Sequence, residues 1–115
     1  MNTETLTAIA EPTRLKIVEY LRSKPRSVGE IATKLKIRQP QASKHLKVLT
    51  EAGWLEVKPI AQQRIYQLQE KHFIELESWI SSFQKLWEKR YEKLDSLLEE
   101  LKSDQKEIKK NEHKL

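Results

Sequence analysis

The segment Gln39-Pro40-Gln41-Ala42-Ser43-Lys44-His45-Leu46-Lys47 gathers two amides, a hydroxyl, an imidazole and two ammonium groups. These groups suit binding better than bond-making. Glutamine can pair bidentately with adenine, serine with several bases, and lysine with guanine or phosphate. The charge around them points the same way. Lys34, Lys36, Arg38, Lys44 and Lys47 all fall between Glu30 and Glu51, and no acid interrupts them. The net charge of +5 belongs entirely to residues 1–70, with 12 basic and 7 acidic side chains, whereas residues 71–115 are balanced. A positive half with an acid-free window calls for an anionic partner.

Other chemistries find little to work with. The 115 residues include no cysteine, which removes disulfides, thiolate metal sites and thiol catalysis. No nucleophile with a nearby base, no paired carboxylates and no glycine-rich phosphate loop can be assembled, so an enzyme is not expected. Charged residues make up 34% of the chain, and no apolar run approaches the ~18–20 residues of a spanning helix. No apolar leader follows Met1, and a reducing cytoplasm is the expected compartment.

The elements that must position these groups can be read from glycine, proline and hydrophobic period. Pro12 suits a first helical position, and Leu15, Ile17, Val18, Tyr20 and Leu21 give that helix an apolar face before Lys24-Pro25 ends it. Ser27-Val28-Gly29-Glu30 reads as a capping box opening a helix with Ile31, Ala32 and Leu35 inward. After Lys36-Ile37-Arg38, a helix from Gln39 to Ala52 buries Ala42, Leu46 and Leu49, and Gly53 stops it. Pro40, Ser43, Lys44 and Lys47 then point away from the buried arc, and His45 sits at its edge, placed equally for packing and for a base contact. Residues 54–60 and 64–69 read as a β-hairpin with Ala61-Gln62-Gln63 at its tip.

From Lys71 to about Lys110 no glycine or proline appears, and Phe73, Leu76, Ile80, Phe83, Trp87, Tyr91, Leu94, Leu98 and Leu101 recur at three- and four-residue steps. A helix of that length, ~60 Å at 1.5 Å per residue, cannot bury its stripe within so small a domain. A second copy is the economical partner, giving a C2 homodimer. Ser81-Ser82 is the expected place for a kink, and the tail after Lys102 is expected to fray.

Short helices, a brief turn and a hairpin make the order of a winged helix-turn-helix, mainly α with a small β-hairpin. The stretch from Ala8 to Leu68 resembles the ArsR/SmtB family of bacterial winged-helix repressors. The resemblance rests on Ala8-Ile9-Ala10-Glu11-Pro12-Thr13-Arg14-Leu15-Lys16-Ile17, Ser27-Val28-Gly29-Glu30-Ile31-Ala32, the Gln39–Leu49 run, Glu51-Ala52-Gly53 and Arg64-Ile65-Tyr66-Gln67-Leu68. It implies a binding domain over residues 1–70 and a dimerisation helix over 71–115. It also implies double-stranded DNA as partner, read by Gln39, Gln41, Ser43, Lys44 and His45 with Arg64 on the wing. Pro40 and Lys47, which point away from the buried arc, and Lys36 and Arg38 of the acid-free basic window complete the expected DNA-binding set. Pairing through the first and last helices assigns Leu6 and Ile9 to the dimer interface with Phe73, Leu76, Ile80, Phe83, Trp87, Tyr91, Leu94 and Leu98.

Departures from the family bear on how such a protein would be switched. Metal-sensing members use cysteines near the turn motif or His and Asp pairs on the last helix, whereas the histidines here are His45, His72 and His113. His72 with Glu75 is the nearest approach to a site and would need ligands from a second copy. The resemblance therefore points to a branch without a metal or other cofactor, and room is left for a small-molecule effector. The wing lacks the glycine often found before its arginine. The competing reading is an interaction module that docks a partner protein on the long helix and uses the basic half for non-specific anchoring.

Overall fold

The computed structural model describes the backbone of residues 1–113 and the side chains of residues 1–104. In chain order the elements are α1 (Thr3–Ala10), α2 (Pro12–Tyr20), β1 (Arg26–Ser27), α3 (Val28–Leu35), α4 (Gln39–Glu51), β2 (Leu55–Ile60), β3 (Gln63–Leu68) and α5 (Glu70–His113). Each short helix has a chemically defined start. Asn2 Oδ1 accepts the Thr5 amide at 2.8 Å, and Glu11 Oε2 accepts that of Arg14 at 2.8 Å just ahead of Pro12. The Ser27 and Glu30 side chains each accept the other's backbone N–H, so the expected capping box opens α3.

The turn between α3 and α4 is made without glycine. Lys36 adopts a left-handed conformation, φ 57° and ψ 43°, and the Ile37 amide reaches back to the Ala32 carbonyl at 3.1 Å. This closes the helix as a Schellman turn does, with lysine where glycine is usual, at a conformational cost of roughly 1 kcal/mol.

The compact unit Met1–Glu77 has its core where α2, α3 and α4 meet the sheet. Ile17, Ile31, Leu46, Leu49 and Trp54 are its largest fully buried side chains. Leu15, expected on the apolar face of α2, is 44% exposed. Ile17, Val18 and Leu21 centre the buried arc on their own side of the helix, and at 100° per residue Leu15 lies outside it. Trp54 is the hub the sequence reading passed over. Its indole N–H donates to the Thr5 carbonyl at 2.7 Å, and its ring meets Phe73 edge-on at 5.0 Å, so α1 and the start of α5 both close on it. Phe73 and Leu76, assigned to the dimer stripe, pack half-buried against this same core, as does Ile9.

The sheet has three antiparallel strands in the order β1-β3-β2, one more than the hairpin expected. Arg26 pairs with Tyr66 and Ser27 with Ile65. The hairpin register sets Ile60 opposite Gln63, so the tip is the two residues Ala61-Gln62 rather than three. Ala61 alone of the two has positive φ, at 56°. That is the sign pattern of a II′ turn, whose twist suits a hairpin and whose first position favours glycine. Alanine at that position gives no local signal of such a turn, so the shorter tip is set by the strand register.

The second unit, Ser78–Leu115, is helical to His113 with no interruption at Ser81-Ser82, where Ser82 Oγ donates to the Trp79 carbonyl at 2.6 Å. Ile80, Phe83, Trp87, Tyr91, Leu94, Leu98 and Leu101 are all exposed. With Trp79, Leu86 and Leu97 beside them, the apolar face spans an arc of about 140° at 100° per residue. Beyond Lys102, the expected place for fraying, the backbone stays helical through His113, and the side chains after residue 104 lie outside the described ones.

Candidate nucleic-acid interface

Helix α4 separates its two faces cleanly. Ala42, Leu46 and Leu49 are fully buried on the core side, while Gln39, Pro40, Gln41, Ser43, Lys44 and Lys47 are exposed. Lys36 and Arg38, in the turn that leads into α4, are exposed as well. Arg64 lies exposed on β3.

The wing lies close enough to α4 to leave two clefts. One, of about 390 Å³, is lined by Gly29 at the start of α3, Gln39 and Ser43 of α4, and Gln62, Gln63 and Arg64 of the hairpin. The other, of about 470 Å³, takes in Ser43, Lys47, Glu51, Val57, Arg64 and Tyr66, with Glu51 Oε1 4.0 Å from the Lys47 ammonium. Ser43 and Arg64 line both clefts. Gln62 and Gln63 were not among the residues picked out from the sequence. Nothing in their local pattern marks them, and only the two-residue tip and its register bring them beside Gln39.

Two of the expected contacts are engaged inside the protein. Gln41 Oε1 accepts the Arg38 amide at 3.3 Å, which gives this side chain a share in starting α4. His45 turns toward α2, with Nδ1 3.4 Å from Arg14 Nη1 and 3.7 Å from Glu11 Oε2. It is half-buried, the packing alternative of the two open for it. Arg14 in turn donates through Nε to the Ala8 carbonyl. The Glu11 carboxyl is held below its ordinary value of 4.5, first by the Arg14 backbone N–H and further by the Thr13 amide and the nearby His45 and Arg14 charges. Glu11, Arg14 and His45 thus form a polar link between α2 and the middle of α4.

Among the described residues no group of three or more His, Cys, Asp or Glu is placed to hold a metal ion. His72 Nδ1 and Glu75 Oε2 are 3.4 Å apart, a pair that also has the N-terminal ammonium 3.8 Å from the carboxylate. Nor is any described helix long and apolar enough to cross a membrane.

A buried two-helix turn, an exposed polar face on its second helix and an antiparallel wing beside that face define a winged helix-turn-helix domain. A profile described as a helix-turn-helix domain matches residues 9–58. The chain is 38% identical over 69 residues to the HTH-type transcriptional repressor SmtB of Mycobacterium tuberculosis, covering 60% of this chain and 51% of that one. Its fold is similar to the crystal structure of an ArsR family transcriptional regulator, with a TM-score of 0.66 and 28% identity over 74% of this chain and 93% of that one. It is also similar to a regulator whose title connects it with arsenical resistance, with a TM-score of 0.64 and 32% identity over 71% and 85% of the two chains. The chain belongs to the ArsR/SmtB family of winged helix-turn-helix regulators. It spans about half the length of the curated relatives it matches.

Proposed function

We propose that the protein is a dimeric, sequence-specific DNA-binding repressor of transcription that works without a metal site. The observation that carries the reading is the placement of the exposed polar face of α4 beside the wing, where Ser43 and Arg64 line both clefts and Lys47 lines one of them. In this arrangement Gln39, Ser43 and Lys44 meet base edges in the major groove, and Lys36, Arg38, Lys47 and Arg64 hold phosphates. The exposed α5 stripe supports a second copy as partner, and a two-fold dimer reads half-sites about 10 bp apart in an imperfect palindrome. The lack of cysteine and of any three-ligand cluster among the described residues supports a switch other than metal.

The test is a binding titration of the purified chain on a pool of random duplexes, with recovery and sequencing of the bound fraction. An inverted repeat should emerge. Affinity should fall by roughly 10³–10⁵ between 50 and 200 mM salt if six to ten phosphates are contacted. The absence of salt-sensitive DNA binding overturns the reading.

A further inference from the structure

Only two glycines occur in the chain, and they differ in what the fold asks of them. Gly53 has φ +87°, and a Cβ there would meet the His72 ring at 2.5 Å. Gly29 has no positive φ, and a Cβ there would stand 3.6 Å from Gln39 Nε2 and 3.9 Å from Ser27 Oγ, which is ordinary contact. Nothing in the protein's own packing requires glycine at position 29, where it weakens the first turn of α3. A helix position kept bare without an internal reason suits close approach by something outside the chain.

The surroundings say what that is. Gly29 lines the reading cleft with Gln39 and Ser43, and it also lines a separate cleft of about 460 Å³ with Tyr20, Glu30, Thr33 and Lys34. Lys34 and Thr33 are exposed, and Lys34 has no carboxylate within 4 Å among the described residues. The one acid of this cleft, Glu30, is already engaged. Its Oε1 accepts the Ser27 amide and hydroxyl at 3.4 and 3.3 Å, and its Oε2 is 3.6 Å from Arg26 Nη1. Arg26 also donates to Ser23 Oγ at 3.0 Å and lies over the Tyr20 ring at 4.3 Å, which fixes the ring on one side. The ammonium of Lys34 stands 5.8 Å from the centre of the same ring. The cleft therefore offers the Lys34 ammonium, which faces an aromatic ring and no carboxylate within 4 Å among the described residues, while its one acid is paired with Arg26.

We infer that the DNA track does not end at α4: the phosphodiester backbone crosses Gly29 and is held on the outer face of α3 by Lys34. This rests on the DNA-binding reading above and names phosphate contacts outside the reading helix and the wing. Glycine at position 29 keeps the crossing low, and Lys34 neutralises a phosphate there.

The experiment uses the full chain and a random-sequence duplex of about three helical turns. Lys34→Ala should lower the slope of log affinity against log salt by about 0.9 for each copy bound, with sequence preference unchanged. Gly29→Leu should keep or raise the melting temperature and weaken DNA binding about tenfold, the equivalent of one lost contact set. Gly29→Ala gives the same comparison with a smaller ridge if the leucine variant does not fold. The inference is overturned if Lys34→Ala leaves the slope unchanged and the Gly29 variants bind as the parent does while Lys47→Ala and Arg64→Ala still lower it. In that case the track stops at α4 and the DNA reading stands. If the parent shows no salt-sensitive binding, the reading and this inference fall together.

Discussion

The His72 ring covers Gly53, with Nε2 2.5 Å from where a Cβ would stand, and Gly53 holds φ at +87°. The stop signal of α4 and the first turn of α5 are thus locked to each other beside the Trp54 indole, which meets His72 at 5.5 Å. Gly53→Ala faces two penalties at once, a left-handed backbone worth about 1–2 kcal/mol and an overlap with an aromatic ring. Urea denaturation should show a loss of at least about 2 kcal/mol. Adding His72→Ala should recover the overlap part and leave the backbone part, and a double variant no more stable than Gly53→Ala alone would show that the contact is not felt.

Much of this half of the molecule was legible because local chemistry and tertiary packing agree in it. Pro12, the Ser27 and Glu30 box, the buried arc of α4 and the Gly53 stop each satisfy a rule that acts over a few residues, and the structure keeps them all. The failures come where distant residues decide. Two-residue β1 has no pattern of its own and exists because Tyr66 and Ile65 lie opposite it. Ala61 takes a glycine-like φ because the register of β2 and β3 leaves only two residues for the turn. In the candidate site, the α4 face followed from periodicity, but Gln62 and Gln63 reach the cleft through the hairpin register and His45 is turned toward Arg14 and Glu11, partners more than thirty residues away.

Ser43 and Gln41 should part company when tested. Both are exposed on α4, yet Gln41 also accepts the Arg38 amide at 3.3 Å. Ser43→Ala should relax sequence preference at one position of the half-site and leave the melting temperature alone. Gln41→Ala should change DNA selection and also lower stability by about 0.5 kcal/mol, because the helix start loses an acceptor. Sequencing of selected DNA together with thermal unfolding of both variants separates the two effects. Equal stability losses would show that the Gln41 cap contributes nothing in solution.

Acid should loosen the helix starts before it affects the core. The Glu11 carboxyl lies below its ordinary value of 4.5 chiefly because the Arg14 amide donates to it, and that of Glu30 chiefly because the Ser27 amide does. Each is therefore easier to ionise in the folded chain than in the unfolded one. The stabilisation is complete above the unfolded value and is lost as pH falls through the lower folded value. A Glu11→Gln, Glu30→Gln variant should be less stable than the parent near neutral pH, and the gap should shrink as pH falls past 4.5, where a free carboxyl is half protonated, and close as pH passes the lower folded values. Parallel denaturation curves at both pH values measure this, and a gap independent of pH would assign the loss to packing instead.

The hydrophobic positions of α5 should respond differently according to which unit holds them. Phe73 is half-buried and meets Trp54 edge-on at 5.0 Å, so Phe73→Ala removes core contacts of a single chain and should cost about 2 kcal/mol, below the range for a fully buried ring. Tyr91 and Leu94 have no such partner among the described residues and are 62% and 51% exposed. Leu94→Glu places a charge in the middle of the 140° face, where a paired helix would have to bury it. It should convert a dimer to a monomer in sedimentation and leave amide-exchange protection within the Met1–Glu77 unit intact. DNA affinity should fall with it, since one half-site contact per molecule is lost when the two copies separate. A Leu94→Glu protein that stays dimeric would place the pairing surface elsewhere, with Leu6 of α1 and the early turns of α5 the residues left to provide it.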